Sequence, residues 1–549
     1  MIVTTTITSD GTGMPAAYEL LSIDVSSEYN RVPTAELVLL DGNPATRAFP
    51  ISDSAFFEPG KEISISLRYE GLPNKEVAVF KGIVLKQGLR LDREGCTLEV
   101  ELSDLAVKMT SLRKSNVFAG KTDSAIIAAL IRANSLTAGS IGATEVEHQR
   151  IVQYQATDWD FMLLRAAQNG LLVAAAGGTI SATPPAIAAA RQTFEFGLTE
   201  IFDFQMEVDA RYQVGAVKSA SWDAKRQELT ATQEAAPVSL SQGNLKPAAL
   251  AEAVGASNQL LLTGTALQDG EAKAWADATL LRSRLAMVRG SFRVPGLASL
   301  ALGDTIELKG LTQRFSGKTI VTGLRHQVNA EGWFTSIQFG LSPIPFAATP
   351  GIADSPASGM LPGISGLQIG IVQKYEEDPN KEHRVKIMIP VIGQASGLVW
   401  GRLAAPDAGK NRGLFFWPEP GDEVILGFLN DDPRQPVILG ALYSSANQPP
   451  WAPADTNAQK GLVTKGGTTL LFDDEKKLVS LATADGSSIT LDEDKKSVEI
   501  KDSRSNVIRL TADGIVLESG KDVFITSKGT VHIEGTKGVE IKGAKIDIK

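Results

Sequence analysis

Short runs in which apolar and polar residues alternate dominate this chain. Before about residue 110 they read YELLSIDVSS, TAELVLL, KEISISLRY, VFKGIVLKQGLRL and CTLEVELSD. Alternation sends successive side chains to opposite faces, so each run predicts a half-buried strand. Turn residues separate the runs, DGN at 41–43 and LPN at 72–74 among them. The set predicts an antiparallel barrel or sandwich.

The period then changes. TDSAIIAALIRANSL (122–136) places Ile126, Ile127, Leu130 and Ile131 on one helical face, with Thr122 or Asp123 able to cap it. TDWDFMLLRAAQNG (157–170) repeats the arrangement: Thr157 or Asp158 caps, Phe161, Leu164 and Ala167 share a face, and Gly170 ends the helix. Strand patterns return from about 190 to 345, interrupted by one helical stretch, EAKAWADATLLRSRLAM (271–287). These regions make up residues 1–345, read as two β-barrel domains carrying helical inserts. A Pro-, Gly-, Ala- and Ser-rich linker follows at 346–366. Residues 367–445 hold five short strand patterns, which suits an OB-fold module. A second linker spans 446–460.

From 461 to 549 the chain repeats itself. Apolar pairs two residues apart recur at steps of eight: Ile515/Leu517, Val523/Ile525, Val531/Ile533 and Val539/Ile541. Ile546/Ile548 arrives one residue early. Upstream, Leu470/Phe472, Val479/Leu481, Ile489/Leu491, Val498/Ile500 and Ile508/Leu510 follow at steps of nine or ten. Gly514, Gly520, Gly529, Gly535, Gly538 and Gly543 mark corners. A lone ribbon would leave this stripe in water, and thin ribbons are marginal. Three copies wound about one axis can turn the pairs inward, each Val or Ile then contributing roughly 1.5–3 kcal/mol. The expectation is a homotrimeric, parallel β-prism (a triple-stranded β-helix) with Ile515, Leu517, Val523, Ile525, Val531, Ile533, Val539 and Ile541 in its core.

Composition narrows the reading. The net charge of −9 argues against a nucleic-acid partner. The single cysteine, Cys96, excludes an intrachain disulfide and a cysteine metal cluster. The N-terminus, MIVTTTITSDGTG, has no basic or apolar signal region, and no 18-residue apolar window occurs. Synthesis and folding in the cytoplasm are expected.

Candidate chemistry is thin. Asp158 and Asp160 flank Trp159, but i and i+2 side chains diverge on a helix, and an N-cap acid beside a first-turn acid explains them. Asp431 and Asp432 precede Pro433 and read as a turn rather than cation ligands. His148, His326, His383 and His532 are scattered; His532 alternates with Val531 and Ile533 and so points outward, away from a trimer axis. No phosphate loop, nucleophile elbow or dinucleotide fingerprint appears. Mixed-sign stretches such as DDEKK and DEDKK fit a solvated surface. No enzyme activity, cofactor or metal is expected.

Several stretches resemble one family, the VgrG-like spike proteins of contractile injection systems, which include type VI secretion spikes and phage baseplate hub–spike proteins. NRVPTAELVLLDG (30–42), FFEPGKEISISL (56–67), VFKGIVLKQ (79–87) and YQATDWDFMLLRAAQNGLLV (154–173) are similar to its hub. LGDTIELKGLTQRFSGKTIVTGLRHQV with GWFTSIQFGLS (302–342) is similar to the end of a second hub barrel. VWGRLAAPDAGKNRGLFFWPEPGDEVILGFLNDDPRQPVILGALY (399–443) resembles its OB module.

The resemblance implies a homotrimer at the front of a hexameric inner tube, set among baseplate proteins. Its needle would puncture a target cell envelope mechanically. Ile546, Asp547, Ile548 and Lys549 would receive a conical PAAR-like tip protein, with effector cargo as a further partner. Some relatives carry a lysozyme domain after the OB module, whereas here only 444–459 fill that interval; others carry a toxin beyond the needle, whereas this sequence stops at Lys549. The expectation is therefore a spike without an enzyme of its own, in a particle that is cytoplasmic until assembled and then secreted or injected. The alternative class is a phage-type tail spike, or a glycan-cleaving or adhesive β-protein.

Overall fold

The computed structural model describes residues 2–43, 45–71, 76–93, 95–239, 242–352, 354–393 and 397–548. The LPN turn at 72–74 lies outside them. The chain divides into two compact units, Met1–Ser355 and Pro356–Lys549.

In the first unit the alternating runs form strands at Glu19–Glu28, Thr34–Leu40, Glu62–Tyr69, Val77–Leu91 and Cys96–Ser103. Their inward positions, Ile23, Leu37, Leu39, Ile63, Ile65, Leu67, Leu98 and Val100, make a core at 0–1% exposure. The later strands, Val288–Pro295, Gly317–Asn329 and Gly332–Phe339, enclose a second core around Phe292, Val321, Ile337 and Phe339. The two strand sets share one 13-stranded sheet, joined where Gly317–Asn329 pairs antiparallel with Glu19–Glu28.

Between the two sets lie α1 (Asp123–Ala133) and α2 (Asp158–Gln168). Thr122 and Thr157 are the N-caps, their hydroxyls accepting from Ala125 and Asp160 N–H groups. Asp158 therefore does not cap α2. The expected α2 face is corrected too: Trp159, Phe161, Met162, Leu163 and Ala166 are buried, while Leu164 and Ala167 are half-buried. The helix packs on more than one neighbour, so a one-sided face misplaces the core. α3 (Pro247–Ala253) was not expected; it is seven residues long, too short for a helical period to emerge. α4 (Asp269–Leu285) starts two residues before the expected stretch, behind a Gln268/Glu271 capping box. The first part of 346–366 is anchored: Phe346 packs against the helical core, and Arg113 donates to the Gly351 and Ile352 carbonyls.

In the second unit, Gln368–Val372, Val385–Met388, Leu398–Leu403, Glu423–Phe428 and Pro436–Ala441 close into a five-stranded barrel. Val385, Ile387, Ile389, Val424 and Leu426 fill it at 0% exposure. Asp378 locks the loop after the first barrel strand. Its carboxylate accepts from the Asn380, Glu382 and Arg384 amides and from the Arg384 guanidinium, which holds it well below the usual carboxylate range. The Asp431–Asp432 turn is closed in the same way, with Arg434 donating to Asp432.

Beyond the barrel, seven strands form an antiparallel meander: Gln459–Val463, Thr469–Asp473, Leu478–Ala482, Ser488–Asp492, Ser497–Lys501, Val507–Thr511 and Gly514–Glu518. At 4.7–4.9 Å per strand, the meander extends about 29 Å. Of the expected corners in 459–518, Gly514 holds a positive φ beside the 512–513 loop; the other positive φ values there fall at Gly467, Gly486 and Ser505 and at Lys477 and Lys496. Gly461 is required by close packing, since a Cβ there would lie 2.0 Å from the Leu470 carbonyl oxygen and 2.9 Å from the Trp451 ring. The pairs expected at 523/525, 531/533, 539/541 and 546/548 are not in strands; 519–548 has no ladder within the chain.

Candidate functional site

The meander's register puts its apolar pairs directly opposite one another. One column runs Leu462, Leu470, Leu481, Ile489, Ile500, Ile508, Leu517. Beside it run Phe472, Val479, Leu491, Val498, Leu510 and Ile515, with Lys460 at the head. One face is thus a two-column apolar ladder, and cross-strand pairs of this kind stabilise a sheet. The reverse face is more polar through its middle, with Ser480, Thr490, Glu499 and Arg509 in line, and Glu499 accepting from Arg509 at 2.8 Å.

The loops explain why the register holds. Loops of five residues (464–468, 483–487, 502–506) lie on one edge. On the other edge lie loops of four (474–477, 493–496) and one of two (512–513). Asp473 and Asp492 close the four-residue loops by accepting from the Lys476 and Lys495 amides. Those hydrogen bonds, with the Lys495 ammonium at Asp492, hold both carboxyls below the ordinary range. The missed signal was that steps of nine and ten add to a 19-residue hairpin repeat, visible in Gly467 and Gly486, Asp473 and Asp492, and Lys477 and Lys496.

The ladder is open to solvent in the single chain. Leu481, Ile489, Leu491, Ile500, Ile508 and Leu510 are 40–49% exposed, and Ile515 and Leu517 are 72% and 56%. Val523, Ile525, Val531, Ile533, Val539 and Ile541 are exposed as well. Ile546, Asp547 and Ile548 are exposed, Asp547 pairing with Lys545 at 2.6 Å; Lys549 lies outside the described residues. The structure thus sets Ile515 and Leu517 on the ladder and leaves the other expected core residues unpaired within the chain.

The remaining titratable candidates have local partners. Burial works to raise the Asp158 carboxyl, but hydrogen bonds from Gln153, Lys114 and Asn134 hold it below its ordinary value. His148, 4% exposed, sits with Nε2 3.1 Å from Asp123 and Nδ1 3.2 Å from Glu271, so it bridges α1 and α4. Arg165 of α2 donates to both oxygens of Asp123. Burial pushes His326 down to about 4. Among the described residues, no group of three or more His, Cys, Asp or Glu side chains is placed to hold a metal ion, and no helix is long and apolar enough to cross a membrane.

A β-rich hub, a closed OB barrel and a repetitive apolar-faced tail define a class, that of chains similar to VgrG spike proteins of contractile injection systems. The chain belongs to the family described as the Alg8 N-terminal domain, whose model matches residues 1–330. A second model, the type VI secretion system/phage-baseplate injector OB domain, matches residues 368–443.

The type VI secretion system spike protein VgrG1b of Pseudomonas aeruginosa is 28% identical over 232 residues, 38% of this chain and 30% of that protein. The actin cross-linking toxin VgrG1 of Vibrio cholerae is 34% identical over 126 residues, 21% of this chain and 12% of the toxin. The chain thus spans under a third of the length of these curated relatives. Among solved structures, the 43 kDa tail protein of prophage MuSo2 from Shewanella oneidensis aligns at 12% identity with a TM-score of 0.46, over 62% of this chain and 99% of that one.

Proposed function

We propose that this chain is a homotrimeric spike at the front of the inner tube of a contractile injection system. The observation that carries the reading is the two-column apolar ladder, which is exposed in one chain and repeats with the same register at every strand. Three copies turning these faces inward give a needle with a dry axis and a charged exterior. The hub-like region, 1–345, adapts the hexameric tube and its baseplate to the three-fold needle. The relatives named as spike proteins support this placement.

The mechanism is mechanical: the particle contracts, the tube advances, and the needle concentrates force on a small area of the target envelope. Ile546, Asp547, Ile548 and Lys549 seat a conical PAAR-like tip protein, and effectors travel as cargo. The chain folds in the cytoplasm and leaves it as part of the assembled particle. Sedimentation equilibrium of the full chain is expected to give a trimer; a monomer at micromolar concentration overturns the reading. Deleting 539–549 is expected to abolish capture of a PAAR-like tip protein in a pull-down while the trimer persists. Zymography on peptidoglycan separates this reading from a glycan-cleaving protein, with no clearing expected.

A further inference from the structure

Strand pairing within the chain ends at Glu518. From 459 to 518 every strand is hydrogen-bonded to the next strand of the same chain. Its turns are satisfied locally: the Asp473 and Asp492 carboxylates accept from Lys476 and Lys495, and Asp502 accepts from the Arg504 and Asn506 amides. Each hairpin therefore has a short-range code and needs no second chain to set its register.

From 519 to 548 the apolar alternation continues, but the backbone groups have no ladder within the chain. One turn bond, from the Gly538 amide to the Gly535 carbonyl, is the backbone pairing described there. Here the spacing is eight until Ile546/Ile548 arrives one residue early, and Val523, Ile525, Val531 and Ile533 stay 48–67% exposed.

We infer that the two segments assemble in order, the meander first and 519–548 second. The occupant of the meander's face is a second copy of the same face. The apolar alternation that fills the columns continues, at a spacing of eight, into a segment with no intrachain ladder, and a chain with the same spacing offers matching positions along its whole length. A preformed meander presents its apolar face already ordered, so association there costs little further conformational entropy. Once copies meet at 459–518, their distal segments are tethered beside one another at high effective concentration. They then pair between chains, from 519 toward 548. The meander nucleates and the distal segment locks. This rests on the trimer reading of the tail.

The test uses the full chain and hydrogen exchange of backbone amides, with sedimentation alongside. A proximal variant carries Ile489→Asp and Leu491→Asp; a distal variant carries Val531→Asp and Ile533→Asp. The unaltered trimer is expected to protect both segments. The distal variant is expected to stay trimeric and lose protection in 519–548 alone. The proximal variant is expected to lose protection in 519–548, although that segment is unaltered, while amides within 459–518 stay protected by intrachain pairing and report that it has folded. Persistent protection of 519–548 in the proximal variant overturns the order, as does dissociation of the distal variant. A monomeric unaltered chain instead overturns the trimer reading itself.

Discussion

His326 is 6% exposed on the strand that joins the two halves of the hub sheet, with Nδ1 3.0 Å from the Thr335 hydroxyl. Burial disfavours its charged form and lowers its pKa from 6.5 to about 4. The folded value lies below the unfolded one, so the unfolded chain takes up the proton first as pH falls. This residue's penalty is absent above pH 6.5 and grows as pH falls to about 4, where the full gap corresponds to roughly 3 kcal/mol. Denaturant titrations of the hub transition are expected to show that slope, and His326→Asn to flatten it. Asp123 acts in a lower window. Burial tends to raise its carboxyl, but Arg165, Asn169 and His148 bring it below its ordinary 3.8. Its stabilisation is present above that value and is lost as pH falls further. Asp123→Asn leaves Arg165 without its carboxylate partner, and breaking a buried pair of this sort costs about 3 kcal/mol; thermal unfolding at pH 7 measures it.

At the scale of the element, the strands were legible wherever one face is buried and the other solvated. Thr34–Leu40 and Glu62–Tyr69 alternate because their outward residues meet water. What could not be read was set by packing on more than one side, as in α2, or by a hydrogen bond from beyond the helix, as at Asp158. The tail pairs were legible as a pattern, but which strand faces which is decided by loop length. Lys496 shows how: it holds φ +47 in a four-residue loop. A β-branched residue tolerates that region poorly, so Lys496→Val is expected to weaken the meander by about 1 kcal/mol, while Lys496→Gly is expected to be neutral or stabilising. Exchange rates in 488–501 measure both. In the barrel, Ile387 is fully buried, and Ile387→Ala is expected to cost about 2–5 kcal/mol in denaturant unfolding.

For the whole molecule, the hub and the tail gain stability in different ways. The hub has large closed cores, whereas the tail has one apolar face left open within the chain, which in the proposed trimer gains stability when another copy covers it. Dilution is therefore expected to lower the melting temperature of the tail transition and leave the hub transition in place, which calorimetry at several concentrations measures. From 459 to 511 the alternation of five- and four-residue loops makes the meander a ruler with fixed graduations. Duplicating one 19-residue hairpin adds two strands, lengthens the sheet by about 10 Å, and returns both columns to the same face. An insertion of one residue within a strand turns every later side chain over. Within 459–511 the length of the meander is therefore expected to change in whole hairpins, since a fraction of one would turn the apolar columns to the other face.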